Sequence, residues 1–146
     1  LLEIITVLVL LGIASIIVVS AFPKSDAGLV SEVDRLKSHL RYAQIRAQSD
    51  THEWRLVFSD DRTYQIGPVV IPGAGFTPDV VPGTGATERL LEDGITATSG
   101  TAIRFDSWGR PLTDGGTPLF SNQTITLTAG DQSRSITIQA QTGLIP

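Results

Sequence analysis

The residues able to do chemistry are few, and their spacing fits no catalytic arrangement. Of the two histidines, His39 falls within a helical pattern and His52 at its end, and neither sits in a metal-spacing motif. Both read as helix-surface or helix-end residues. The chain has no cysteine, which excludes a disulfide framework, zinc–thiolate sites and thiol catalysis together. There is no G-x-S-x-G nucleophile elbow and no Walker sequence. Gly83-Thr84-Gly85-Ala86-Thr87-Glu88 comes nearest to a dinucleotide fingerprint, but Glu88 stands where the third glycine belongs. No strand–turn–helix frame surrounds it, so it reads as loop. Asp60-Asp61 and Asp114-Gly115-Gly116 are turn sequences, and a calcium ion would need more oxygen ligands than either supplies. Asn122-Gln123-Thr124 fits the N-glycosylation acceptor pattern, which is common by chance. Trp54 and Trp108 read as core or rim residues. No enzyme, cofactor or metal site is expected.

One carboxylate stands out by its surroundings. Glu3 precedes an uncharged run from Ile4 to Phe22, IITVLVLLGIASIIVVSAF. As a helix that run would be about 28 Å long, close to the hydrocarbon core of a bilayer. It is apolar all round and offers water no polar face. Three readings compete. A secretory signal peptide could end at Val19-Ser20-Ala21, but it would need a basic leader where Glu3 stands. A buried core helix is the second, and a membrane-resident N-terminal helix is the third and best supported. Glu3 itself has two explanations. It can favour the positive end of the helix dipole at an interface. Alternatively, because an intramembrane carboxylate is costly unless paired, it marks a specific partner.

Leu1-Leu2-Glu3-Ile4-Ile5-Thr6-Val7-Leu8-Val9-Leu10-Leu11-Gly12-Ile13-Ala14 resembles the N-terminal segment of mature type IV pilins and type II secretion pseudopilins. In that family a Glu lies near a new, N-methylated N-terminus cut by prepilin peptidase, and a Gly follows nine residues later. Glu3 and Gly12 reproduce that spacing. The resemblance implies one or two mature residues upstream of Leu1, and the absence of methionine, position 1 included, also predicts processing or trimming. The family often carries Pro seventeen residues after the Glu; here Ser20 stands there and the proline is Pro23. Two further stretches, Ile103-Arg104-Phe105-Asp106-Ser107-Trp108-Gly109-Arg110-Pro111 and Ile136-Thr137-Ile138 with Thr142-Gly143, are similar to H-type pseudopilins and related minor pilins. The helical segment Leu36 to Ala47, with Arg41-Tyr42-Ala43-Gln44, is similar to the same branch.

The elements around these residues follow from periodicity. Leu29, Val33, Leu36, Leu40, Ala43 and Ala47 recur at alternating steps of four and three, the stripe of an amphipathic helix over residues 24–50. Pro23 is placed to kink its entry. Trp54, Leu56 and Phe58 then alternate, and Ser59-Asp60-Asp61-Arg62 turns into Thr63-Tyr64-Gln65-Ile66, a hairpin. Residues 67–87, rich in Gly and Pro, read as a long irregular loop. Strands are expected at 94–97, 102–105, 124–128 and 135–138, the last two joined through Ala129-Gly130-Asp131-Gln132. The expected fold class is α+β: a long N-terminal helix followed by an antiparallel β-sheet head. Residues 1–23 form the transmembrane or filament-core helix and 24–146 the globular head, with the amphipathic helix at 24–50 and β structure at 51–146.

The whole chain of 146 residues is 41% hydrophobic and 18% charged, with the apolar excess concentrated at the N-terminus. Eleven basic against fifteen acidic residues leave a net charge of −4, which disfavours polyanion binding. The resemblance implies a structural subunit that waits in the bacterial inner membrane. It would assemble through Glu3, Gly12 and the apolar helix into a helical homo-oligomer, a cell-surface pilus or periplasmic pseudopilus. Prepilin peptidase and inner-membrane assembly machinery would be its partners. The alternative is a membrane-anchored monomeric binding module whose β head captures a ligand, including a DNA-capturing minor pilin. Interspersed acids nearly cancel Arg35, Lys37, Arg41 and Arg46, which disfavours nucleic acid as a partner.

Overall fold

The computed structural model describes residues 2–20, 24–71, 75–98 and 102–146, with side chains over 3–12, 27–70, 76–98 and 102–146. Two helices come first, α1 (Leu2–Ser20) and α2 (Lys24–Ser49). The expected bend at Pro23 lies outside the described residues. In α2 the whole apolar stripe is buried: Leu29, Leu36, Leu40, Ala43 and Ala47 are inaccessible and Val33 nearly so. Each Leu so buried contributes about 1.5–3 kcal/mol of transfer free energy. The helix closes with a hydrogen bond from Asp50 N to the Arg46 carbonyl, and the Asp50 carboxylate accepts from Thr51 N at 2.7 Å. Arg46 in the last turn complements the helix dipole.

Nine strands follow among the described residues. They are β1 (Glu53–Phe58), β2 (Thr63–Ile71), β3 (Gly75–Phe76), β4 (Glu88–Leu90), β5 (Ile95–Ala97), β6 (Ala102–Phe105), β7 (Pro111–Leu112), β8 (Gln123–Ala129) and β9 (Gln132–Ile138). All pairings are antiparallel. They make two sheets, one in the order β3-β2-β1-β6-β7 with β4 on the far half of β2, the other β5-β8-β9. The β1–β2 hairpin pairs Leu56 with Ile66 and Phe58 with Tyr64, so alternate residues turn inward. Asp60 caps its turn by accepting from Arg62 N and Thr63 N at 2.7 and 2.6 Å.

The stretch 67–87 is more ordered than its composition predicts. β2 continues to Ile71, β3 returns along it, and Ile66 bridges Asp79. Gly67 makes this possible, since a Cβ there would lie 2.1 Å from the Thr77 carbonyl oxygen. The glycine that suggested a loop is a point of close backbone approach inside a strand. α2 packs across β1, β8 and β9 and so covers both sheets. Its leucines meet Trp54, Leu56, Ile103, Phe105, Ile125, Leu127 and Ile136 in one core.

Candidate functional site

The described side chains of the N-terminal helix, over residues 3–12, face outward. Ile4, Ile5, Val7, Leu8, Val9, Leu10 and Leu11 are 50–64% exposed. Glu3 sits in the first turn of α1 and, with Ile4, Val7 and Leu8, lines a shallow apolar groove. A Cβ added to Gly12 would meet nothing within 4 Å. Nine residues of helix place Gly12 about 13 Å along the axis from Glu3 and on the opposite face. The two residues therefore do not form one local site; they mark two sides of a single rod. Among the described residues no helix is long and apolar enough to cross a membrane.

The folded body is held by polar contacts that pattern alone did not reveal. Glu32 of α2 is fully buried, and both its carboxylate oxygens accept from Arg89 Nη2 of β4, at 3.1 and 3.2 Å. Arg35 Nη1 adds a contact at 3.4 Å. Beside them His39 Nδ1 lies 2.6 Å from the Tyr64 hydroxyl, and the ring also hydrogen-bonds the Pro82 backbone. Burial and the nearby Arg89 charge hold the His39 pKa below its usual 6.5, which keeps the imidazole neutral. Burial likewise pushes the Tyr64 hydroxyl well above the usual phenol value, so it stays protonated. Arg104 of β6 pairs with Glu53 and donates to the Asp114 carbonyl at 2.7 Å, while Arg55 meets the Asp114 carboxylate at 2.8 Å.

At the far end of α2 a glutamine joins two distant segments. Gln44 Nε2 donates to the Gly109 carbonyl at 2.8 Å and the Gly143 carbonyl at 3.2 Å. Arg41 donates to the Ile145 carbonyl at 2.8 Å. Gly109 and Gly143 both have positive φ, and a Cβ on Gly143 would come within 2.5 Å of the Gly109 oxygen. These are the glycines of the two loosely matching stretches, Trp108-Gly109 and Thr142-Gly143. Between them α2, the turn after β6 and the C-terminal tail form one clasp. The family model of the type II transport protein GspH matches residues 32–143, the span that holds Gln44, Gly109 and Gly143. The chain belongs to the GspH family.

Two crystal structures of the type IV minor pilin FimU from Pseudomonas aeruginosa share the fold of this GspH family chain. One superposes with a TM-score of 0.61 over 81% of this chain and 86% of FimU, the other with 0.59 over 81% and 90%. Identity is 18% in both, so the likeness concerns the fold. No curated protein matches the chain. The family match begins at Glu32, and the apolar helix before it is interpreted from its own residues.

The other residues singled out by sequence have local roles. His52 faces Asp50 and Thr51 at the end of α2. Asp50 accepts from Thr51 N, from the Trp54 indole and from His52, and these bonds lower its pKa. Trp54 belongs to the core and Trp108 to the surface. The Asn122 carbonyl oxygen accepts from Ala140 N. Gly83 and Gly85 take positive φ in the turns before β4. Among the described residues no group of three or more His, Cys, Asp or Glu is placed to hold a metal ion.

Proposed function

We propose that this member of the GspH family is a structural subunit of a type IV pilus-like filament. Residues 1–23 are the filament-core helix and 24–146 the head. The single observation that carries this reading is the contrast between the helices: α2 buries its apolar stripe in the head's own core, whereas α1 leaves apolar side chains exposed around its circumference. A surface of that kind requires cover by lipid or by other chains. Before assembly the apolar segment anchors the subunit in the inner membrane, where prepilin peptidase and the assembly machinery act on it. In the filament it packs against the same segment of neighbouring copies. Contacts of that head-to-tail type do not close and so generate a helix of identical subunits. The filament would reach the cell surface or remain in the periplasm.

Within this reading Glu3 pairs with the α-amino group of an adjacent subunit and sets axial register, and Gly12 lets helices approach closely. A carboxylate left unpaired among apolar helices costs several kcal/mol, so docking favours the step at which the charges meet. Glu3→Gln and Glu3→Ala should leave the head folded and the subunit membrane-resident while sharply reducing filaments. A polar substitution at Thr6 should do less. Cell fractionation and electron microscopy of sheared surface and periplasmic material decide it. Normal filament numbers in Glu3→Ala would reduce Glu3 to a helix-end decoration. Absence of filaments containing the unaltered chain would favour the anchored monomeric binding module.

A further inference from the structure

A second stripe runs along α2 beside the apolar one. Gly28, Glu32, Arg35 and His39 recur at steps of four, three and four, each one residue before a buried member of the apolar stripe. That spacing puts them on one flank of the helix. Residues 79–92, with β4 among them, run back along this flank as a strap. The Pro82 carbonyl meets the His39 ring, Arg89 holds Glu32 at 3.1 and 3.2 Å, and Glu92 reaches Arg35 at 3.8 Å. At Gly28 a Cβ would lie 3.3 Å from the Glu92 carboxylate, so the strap rests on bare helix there. Its ties to the β1–β2 hairpin are short. Asp79 N and Leu91 N donate to the Ile66 and Arg62 carbonyls, both at 2.8 Å, and β4 adds a ladder of three residues. Val81 and Leu91 fix it to the core by burial.

The His39 contact has a direction. Arg89, the cross-strand partner of Tyr64, donates to the Tyr64 hydroxyl. That hydroxyl carries one proton and lies 2.6 Å from His39 Nδ1. With the ring neutral, the hydroxyl donates to Nδ1 and the other ring nitrogen donates to Pro82, so donors and acceptors match along the row. A proton added at Nδ1 breaks the match. Two donors then meet, and the Tyr64 hydrogen must find another acceptor in a core where Tyr64 is inaccessible to water. The charges fall out of balance as well. Around His39 stand Glu32 and Arg35 of its own helix, Arg89 of β4, Glu92 beyond β4 and the Tyr64 phenol of β2. Two carboxylates offset two guanidiniums, and an imidazolium adds a positive charge with no counterpart. Histidine is the side-chain type that changes charge between about pH 5 and 8.

We propose that residues 79–92 are an acid-responsive strap: protonation of His39 releases them from α2 and from the edge of β2 while the rest of the head stays folded. The closed strap accommodates the neutral ring and the open strap gives the ring to water, so protons bind preferentially to the open form. The open population therefore rises as pH falls below about 6.5, the ordinary value for histidine. Opening uncovers Val81, Leu91 and the polar flank of α2, and it leaves α2 packed on β1, β8 and β9. A head built in this way senses acidity whether or not it stands in a filament.

Amide hydrogen exchange of the detergent-solubilised full chain tests the strap, each rate being corrected for the intrinsic rate at that pH. Protection at Asp79, Val81 and Leu91 should fall about 10–25-fold between pH 7 and 5, the range set by one proton and an open-form pKa near 6.5. At pH 5 these amides should exchange about tenfold or more faster than those of the β8–β9 ladder. Low urea should leave their rates unchanged, because a local opening exposes little surface. His39→Gln keeps an acceptor for Tyr64 and a donor for Pro82 without a titrating group, and should hold the strap closed across the range. If that variant does not fold, Tyr64→Phe decides. Without the hydroxyl donor the ring takes its proton more readily, and the loss of protection should move to higher pH. Flat protection in the unaltered chain, the same loss in His39→Gln, or an unmoved loss in Tyr64→Phe would each overturn the proposal. So would a strap that exchanges at the rate of the β8–β9 ladder and with the same urea dependence, since it would then open only with the whole head.

Discussion

His39 shows how much a single side chain can bind together. Its neutral ring takes one hydrogen bond from the Tyr64 hydroxyl and gives the other to the Pro82 carbonyl, with Arg89 and Arg35 as the charged neighbours and Glu32 between them. Its folded pKa lies below the unfolded value of about 6.5, so the unfolded chain binds more protons as acid is added. The stabilisation is complete above about 6.5 and is lost as pH falls from there toward the depressed folded value. Thermal melts of the detergent-solubilised chain should therefore show a stability slope between pH 7 and 5 that His39→Gln flattens. Arg89→Ala should cost about 3 kcal/mol in urea unfolding, because Glu32 stays buried and Arg35 replaces only part of its pairing. The proposed assembly residues, Glu3 and Gly12, could be picked out by residue type and spacing. Glu32 and His39 could not. On a helical wheel both border the apolar stripe, where their polar side chains read as solvated, and their partners lie 57 and 25 residues away.

At the level of elements, α2 was the most legible, since six apolar positions at alternating steps of four and three define one face without help from the rest of the chain. The longer strands were legible by alternation, and the structure has them as β1, β8 and β9. β3, β4 and β7 were not, being two or three residues long and formed by pairing with a neighbour rather than by any local period. The division into two sheets was equally invisible, because single-strand patterns carry no information on which edges meet. The clasp at Gln44 makes an element-scale prediction. Gly109→Ala forces a side chain into a positive φ of 76° and against Gln48, and should cost about 1–3 kcal/mol, read as a lower melting temperature. Gln44→Ala leaves the Gly109 and Gly143 carbonyls without that donor and should cost about 1–3 kcal/mol, seen first as faster hydrogen exchange at Gly143 and Leu144.

For the whole molecule, the expected outcome of removing residues 1–23 is a monodisperse monomer in plain buffer by sedimentation, whereas the full chain should need detergent or assemble. The clasp also bears on timing. A ribosome makes α2 long before Gly143 and Ile145, yet Gln44 and Arg41 hold those two residues across separations of 99 and 104 positions. α2 further relies on β8 and β9 to cover its stripe. Contacts so distant along the chain cannot form early, and each carries a large loop-closure cost. Until the segment from Gly143 to Ile145 has been made the clasp cannot close, and α2 lacks the bonds that tie it to that segment.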